Sequence, residues 1–480
     1  MSTLSMNDFA LNRRTFLSRS FGGLGAFALA QLLAADGLLA SGGSAPGRSG
    51  LLAPRTPHGD AKARSVICLF QHGGPSQMAL FDPKPRLEKE DGKPYPGKIV
   101  QHFHNKIGKV MAPPFRFAKC GDAGMDFSEL VPHTASIADD ITLVRSMQTN
   151  QIDHSVAVRT FHSGGPFSGR PTMGSWVTYG LGSESQNLPA YVVLTDPGGL
   201  PIVGPENWTS GYLPALYQGT PFRPGKSPVL NLEQPSKTSA LARQNQLHLL
   251  DRLNRAQQSR FPKNTELDAR ISNYELAARM QTAVPGVIDL SNEPEGIRQL
   301  YGLDQPVTAE YGRRCLMARR LIEQGVRFVL ILLSGQPWDT HTKENSTLES
   351  LCPRTDQPSA ALVKDLKQRG LLDSTLVLWG GEFGRQPVSE GTGGGRDHNQ
   401  FAFSLWLAGG GFKAGHVHGA TDEYGYKSVE DVVSVWDLQA TILHVLGLDH
   451  TKLTYRHGGR DDSLTDVDVT QARVVSELLA

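Results

Sequence analysis

Short apolar runs recur along the chain, and each is bounded by glycine, proline or polar residues. Runs of this kind are typical of strands buried on both faces of a parallel sheet. Apolar residues at helical spacing lie between several of them and predict helices over 310–324, 359–370 and 433–446. The alternation of helix and buried strand predicts an α/β fold, with a doubly wound, mostly parallel central sheet and helices on both faces. The predicted strands are 65–70, 141–144, 191–194, 326–333, 376–379 and 403–407.

The segment 236–279 departs from this alternation because it is polar and its pattern is helical. We interpret it as part of a helical excursion from the sheet, over about 232–300. Residues 65–480 are otherwise predicted to form a single domain.

The first 40 residues have the pattern of an export signal. Asn12-Arg13-Arg14-Thr15-Phe16-Leu17 is a twin-arginine pattern, and the apolar stretch 21–35 follows it. That stretch is shorter than the ~20 strongly apolar residues of a membrane-spanning helix. We predict a twin-arginine signal over 1–40, with the export machinery as a partner and a periplasmic or cell-surface location. Residues 41–64 are rich in Gly, Ser, Pro and Arg and are predicted to be a disordered linker.

Composition and charge exclude some classes of function. The formal net charge is +1, which gives no electrostatic reason to expect nucleic acid as a partner. None of the 4 cysteines forms a C-x-x-C pair, so a zinc ribbon or a thioredoxin motif is not expected. After the first 40 residues, no segment is apolar and long enough to predict a stable membrane span.

Polar residues cluster where predicted strands begin or end. Asp339 and His341 follow the run 326–333, Glu382 follows 376–379, and His398 precedes 403–407. Ligands of doubly wound sheets bind outside the carboxyl ends of the strands. Carboxylate and imidazole together suit Zn or Mn, and carboxylates alone suit Mg or Ca. We therefore predict one divalent-metal site; the alternative is hydrogen bonding within the loops.

The same clusters carry a resemblance to the alkaline phosphatase-like superfamily, and within it to a family of twin-arginine-exported proteins of unknown function. The resemblance spans about 65–466 and rests on HGGPSQ at 72–77, FDPKP at 81–85, WDTH at 338–341, GEFGR at 381–385 and GRDH at 395–398.

The resemblance implies a set of metal ligands. By position, Asp339, His341 and His398 would hold one metal, and Glu382 would be the acidic ligand of a second. The superfamily has an aspartate ligand after the first strand. This chain has Gln71-His72 there, so His72 is the candidate ligand in a place that departs from the superfamily pattern.

The resemblance also implies a place for the attacking group. Asp153-His154-Ser155 is similar to the phosphatase segment in which a nucleophile begins a helix, and His154 takes the nucleophile's place with Ser155 beside it. The alternative is that Asp153 caps the helix and His154 packs. Arg385 would either bind the anion of the substrate or pair with a nearby carboxylate.

Together these features predict an exported, metal-dependent hydrolase of the phosphatase and sulfatase kind, acting on a phosphate or sulfate ester of a small molecule or polysaccharide. The sulfatase signature Cys-x-Pro-Ser-Arg is absent, so a formylglycine sulfatase is not expected. The rival hypothesis is a non-catalytic exported binding module of the same fold, for an anionic polysaccharide or a surface partner.

Overall fold

The computed structural model describes residues 52–102, 107–225, 228–229, 239–261 and 264–480. The predicted twin-arginine signal lies outside the described residues, as does the part of the predicted linker before residue 52. Within 52–64, the backbone N–H groups of Lys62 and Ala63 both donate to the Val445 carbonyl at 2.8 Å. Among the described residues, no helix has the length and apolarity to cross a membrane.

A nine-stranded sheet forms the centre of the fold. Its strands are β1 Ser65–Phe70, β2 Ile141–Gln148, β3 Tyr191–Leu194, β4 Thr220–Phe222, β5 Phe328–Ile331, β6 Thr375–Gly380, β7 Phe403–Ala408, β8 His416–His418 and β9 Val433–Ser434. The order across the sheet is β8-β2-β7-β6-β1-β5-β3-β4, and β9 also pairs with β2. Strand β7 is antiparallel to both of its neighbours, and the other pairs are parallel.

Short two-stranded pairs surround the sheet. They join Phe117–Cys120 to Met125–Ser128, Ile107–Val110 to Val388–Glu390, Gly384–Arg385 to His398–Asn399, Ala420–Thr421 to Ser428–Glu430, and Tyr455–His457 to Arg460–Asp462.

Twelve α-helices lie in the described residues. They are α1 Gln77–Leu80, α2 Pro85–Glu90, α3 Pro132–Ala135, α4 His154–Ser163, α5 Met173–Leu181, α6 Ala240–Arg260, α7 Thr265–Ile288, α8 Glu295–Leu300, α9 Ala309–Glu323, α10 Glu344–Gln368, α11 Val435–Val445 and α12 Val467–Thr470.

The two faces of the sheet pack into separate hydrophobic clusters, because alternate side chains of a strand point to opposite faces. From β1, Ile67 and Leu69 join a cluster with residues of α9 and α10. Val66, Cys68 and Phe70 join the other cluster, with residues of α4, α5 and α11. The predicted doubly wound, mostly parallel sheet with helices on both faces is confirmed.

Helix α10 begins much earlier than the prediction of 359–370. It starts at Glu344 and continues through Pro353 and Pro358. Proline lacks a backbone N–H and disfavours the helix interior, which is why the sequence pattern placed the start after the second proline. The apolar face of the helix outweighs this cost, since Leu348, Leu351 and the later aliphatic residues are buried. The polar segment in the predicted excursion forms α6 and α7.

The loops that carry the predicted site residues lie at one rim of the sheet. The carboxyl ends of the parallel strands β1, β2, β5 and β6 meet there, together with the amino end of the antiparallel β7. The loops at that rim carry His72, His154, Asp339, Glu382 and His398.

Candidate metal centre

Four side chains from three segments of the chain converge at this rim. They are His154 at the start of α4, Asp339 and His341 after β5, and His398 before β7. One ligand-type atom of each lies within 4.8 Å of those of the other three. Nε2 of His154 and Nε2 of His341 are each 3.0 Å from Oδ1 of Asp339, and Nε2 of His398 is 3.4 Å from it. The structure therefore brings together three of the predicted metal ligands, with His154 as a fourth member.

The three imidazoles share one feature: each Nδ1 faces an oxygen acceptor. The pairs are His154 with Oε1 of Glu382 at 2.6 Å, His398 with the Ile152 carbonyl at 2.6 Å, and His341 with Oε2 of Glu390. A neutral ring that donates from Nδ1 to such an oxygen keeps the lone pair of Nε2 for a metal. Three Nε2 atoms and one carboxylate oxygen lie close together, with each Nδ1 held by an acceptor, which is how proteins orient histidine toward a metal.

The charges of the group reinforce one another. Burial opposes ionisation of Asp339, but hydrogen bonds from the three histidines outweigh it and hold the pKa of Asp339 well below its usual range. Burial also opposes protonation of His154, yet its carboxylate partners raise the pKa of His154. The hydrogen bond to Asp339 raises the pKa of His341. Burial lowers the pKa of His398 to about 4.

Glu382 lies behind His154 and outside the group of four. It is fully buried, and Oε1 accepts from His154 and from the Gly73 backbone N–H at 2.9 Å. Burial opposes its ionisation, but the hydrogen bond from His154 outweighs burial and lowers the pKa of Glu382. This geometry lets Glu382 orient the His154 ring. We predicted it from the sequence as a direct metal ligand.

Arg385 is fully buried, and its guanidinium forms hydrogen bonds with other groups of the protein. It donates to Oδ1 of Asp339 at 2.8 Å and to the carbonyls of Gly73, Gly74, Trp338 and Arg396. The sequence leaves two roles open for Arg385, which are binding the anion of a substrate and pairing with a carboxylate. In the structure it pairs with the carboxylate of Asp339.

Two further predicted site residues, His72 and Ser155, also lie outside the group. His72 is fully buried, its Nε2 is 3.2 Å from Oδ1 of Asn207, and burial lowers its pKa to about 4. Ser155 follows His154 on α4 but is not among the residues that line the cavity beside the group. Asp153 caps α4 by accepting from the Val156 N–H at 3.2 Å.

A cavity of about 350 Å³ opens onto the four side chains. Its other lining residues are His102, Asp153, Ile202, Gln336 and Glu390. The His341 side chain is 31% exposed and that of Asp339 14%, so both are reached from this side.

Sequence reasoning missed two ionisable residues, His102 and Glu390, that contact histidines of the group. The His102 ring stacks on the His398 ring at 4.4 Å, and its Nε2 is 3.6 Å from Oδ2 of Asp153. Glu390 is the partner of His341. A signal existed for Glu390, which opens the Gly-rich stretch before Asp397-His398. His102 lies far from the other clusters in sequence and next to no predicted strand end, so no signal marked it.

Comparison with known proteins identifies a family for this chain. The family described as "Protein of unknown function (DUF1501)" matches residues 63–479. No curated protein sequence matches the chain.

Solved structures with a similar arrangement share little sequence with it. The lipoteichoic acid synthase LtaP from Listeria monocytogenes has 8% identity and a TM-score of 0.35, covering 87% of this chain and 79% of that one. The PsFucS1 sulfatase from Pseudoalteromonas sp. has 14% identity and a TM-score of 0.34, covering 81% and 68%. A protein in the alkaline phosphatase superfamily from Vibrio parahaemolyticus has 9% identity and a TM-score of 0.33, covering 83% and 70%. None of these similarities identifies a reaction for this chain.

Proposed function

We propose that this chain, which belongs to the DUF1501 family of proteins of unknown function, is an exported metal-dependent hydrolase that acts on a phosphate or sulfate ester. One observation carries the proposal. Three histidines with their Nδ1 atoms tied to acceptors direct Nε2 at Oδ1 of a single aspartate, beside an open cavity.

The four donor atoms fit a divalent transition metal. Their separations of 3.0 and 3.4 Å from Oδ1 of Asp339 match the edges of a coordination polyhedron with ligands at about 2.0–2.2 Å. Nε2 of His341 and Nε2 of His398 are 3.0 Å apart, which is close enough for both to bind one ion. Three imidazoles and one carboxylate suit Zn or Mn, whereas Ca and Mg prefer oxygen ligands. His154, Asp339, His341 and His398 would hold the ion.

A divalent ion in this site supplies Lewis acidity toward an ester oxygen and toward water. The chain's own side chains provide the remaining functions. Glu382 and Glu390 fix two of the imidazoles, and Arg385 fixes Asp339. Asp153 and His102 also line the cavity, and the carboxylate of Asp153 or Nε2 of His102 would accept a proton from water or return it to the leaving group.

In this proposal water is the attacking group. Of the described residues that line the cavity, none is Ser, Thr or Cys. His154 has Nδ1 on Glu382 and Nε2 beside Asp339, so both of its nitrogens have other functions. Ser155 does not line the cavity.

Metal analysis and an ester assay test the proposal together. We expect the purified protein to contain about one metal ion per chain and to hydrolyse an aryl phosphate or an aryl sulfate, and a chelator should abolish the hydrolysis. His341→Ala should lose both metal and activity, while the control His444→Ala, at an exposed histidine, should keep both. Metal content that is unchanged in His341→Ala would refute the site.

A second candidate function is the non-catalytic binding module. The internal hydrogen bonds of the buried Arg385 favour it. With its guanidinium on Asp339 and backbone carbonyls, Arg385 cannot hold the anion of a substrate. Metal-loaded protein that binds an anionic polysaccharide but hydrolyses neither ester would support this candidate.

Export through the twin-arginine route is part of the proposal and is supported by the residue pattern of 12–35 alone. Replacing both arginines, as Arg13→Lys with Arg14→Lys, should retain the protein in the cytoplasm. Cell fractionation measures this directly, and unchanged periplasmic or surface location of the double variant would contradict the route.

A further inference from the structure

One side chain that lines the cavity beside the metal group is aliphatic, and several hydrogen bonds hold the loop that carries it. Ile202 is the single aliphatic side chain among the described residues lining the cavity; the others are His, Asp, Glu and Gln. It lies in the loop that leaves β3 at the same rim as the metal group. Leu200, two residues earlier, is 55% exposed.

Backbone hydrogen bonds join this loop to the loop of the metal ligands. The Ile202 N–H donates to the Gly335 carbonyl at 3.2 Å, and the Gly335 N–H donates to the Leu200 carbonyl at 3.0 Å. Gly335 begins the segment that leads to Asp339 and His341. The position of Ile202 is therefore tied to that of the ligands.

Asn207 holds the other side of the loop. Its Nδ2 donates to the carbonyls of Ile202 and Gly204, both at 2.8 Å, and its Oδ1 lies 3.2 Å from Nε2 of His72. Asn207 is 1% exposed, so these bonds are shielded from water.

Backbone strain lies directly beside Ile202. Val203 has φ 55° and ψ 3°, in the left-handed region that β-branched residues rarely adopt. Such conformations persist only where surrounding contacts hold them, and they cluster at functional sites. Here Asn207 and Gly335 supply those contacts, and the result is an aliphatic side chain held against the cavity.

We propose that Ile202 forms an apolar subsite beside the metal group and that the substrate carries an aryl or alkyl group next to its reacting phosphate or sulfate ester. This inference rests on the proposed hydrolase function and adds the class of the alcohol part. An aliphatic side chain held in the cavity beside the metal group favours a ligand that covers it with apolar atoms.

Binding of two phosphonates tests the subsite without turnover. Phenylphosphonate and methylphosphonate carry the same anionic group and differ in the apolar part. By calorimetry on the metal-loaded chain, we expect phenylphosphonate to bind about tenfold more tightly. Ile202→Ser should remove most of that ratio and leave methylphosphonate binding unchanged. Val469→Ser, at a valine that is 73% exposed, is the matched control and should keep the ratio.

The outcomes separate this inference from the hydrolase proposal. Equal binding of the two phosphonates, binding of neither, or a ratio that Ile202→Ser does not alter would each overturn the subsite. A tenfold ratio that Ile202→Ser abolishes supports the subsite even if no ester is hydrolysed, and in that case only the hydrolase proposal fails. Metal content and the melting temperature of Ile202→Ser verify that the variant is folded.

Discussion

The guanidinium of Arg385 donates to Oδ1 of Asp339 at 2.8 Å, the same oxygen that three histidine Nε2 atoms surround. Arg385 has no exposed surface, whereas Asp339 faces the cavity. The arginine therefore fixes the central carboxylate from behind and leaves the cavity side to a ligand. It also joins the loops that follow β1, β5 and β6. Its other N–H groups donate to the backbone carbonyls of Gly74 in the first loop, Trp338 in the second and Arg396 in the third.

Replacing Arg385 should destabilise the whole rim. Arg385→Met removes the charge and leaves buried carbonyls without donors, so we expect the free energy of unfolding to fall by roughly 3 kcal/mol. The midpoint of urea denaturation measures this. Arg116→Met breaks an exposed ion pair with Glu129 and should leave the midpoint nearly unchanged. Similar midpoints for the two variants would contradict the proposed role of Arg385.

Glu382 should affect metal affinity without touching the metal. Its Oε1 holds Nδ1 of His154, so Glu382→Gln weakens the bond that orients this ring. Loss of such a partner lowers metal affinity by about 10–100-fold. Competition with a chelator of known affinity measures the change, and Glu423→Gln, at an exposed glutamate, is the control. A variant that binds metal as the native chain does would show that Glu382 has no orienting role.

The rule that ligands bind at strand ends predicts most of the residues that converge in the candidate metal group. Asp339, His341 and His398 follow or precede apolar runs that a sequence pattern can recognise, and the predicted topology brings those ends to one rim. The sequence predicts His154 at the site as an attacking group. In the structure its Nδ1 faces Glu382 and its Nε2 faces Asp339, and sequence spacing contains no such distances.

The direction in which the Arg385 side chain points could not be predicted from the sequence either. An arginine near a cluster of acids can face the ligand or the protein, and only packing decides between them. Gly73 and Gly74 supply the carbonyls that accept from Arg385, and these became neighbours through the pairing of β1 with β6. His102 reaches His398 from a loop beyond the sheet, so strand-end reasoning could not find it.

Gly73 is required where two loops of the site touch. Its φ is 111°, and a Cβ there would lie 2.4 Å from the Asp339 backbone nitrogen. Gly73→Ala should therefore lower the free energy of unfolding by about 1–3 kcal/mol and weaken metal binding by displacing Asp339. Gly92→Ala is the matched control, since Gly92 has φ 73° with nothing within 4 Å. Metal affinity should fall only in the first variant; equal affinities would mean that the contact with Asp339 is unimportant.

His162 should make the fold sensitive to acid. It is buried on α4 with its ring 4.4 Å from that of Phe70, and burial lowers its pKa from 6.5 to about 3. Between these two values the unfolded chain binds a proton at this residue and the folded chain does not, so stability falls as pH falls from 6.5 toward 3, by about 1.4 kcal/mol per pH unit. His162→Phe removes this group and should flatten the dependence of unfolding free energy on pH in that window. Urea titrations across the window measure the slope, and His444→Phe, at an exposed histidine, should leave it unchanged. A slope that is the same in His162→Phe and the native chain would show that His162 is not the group that resists protonation.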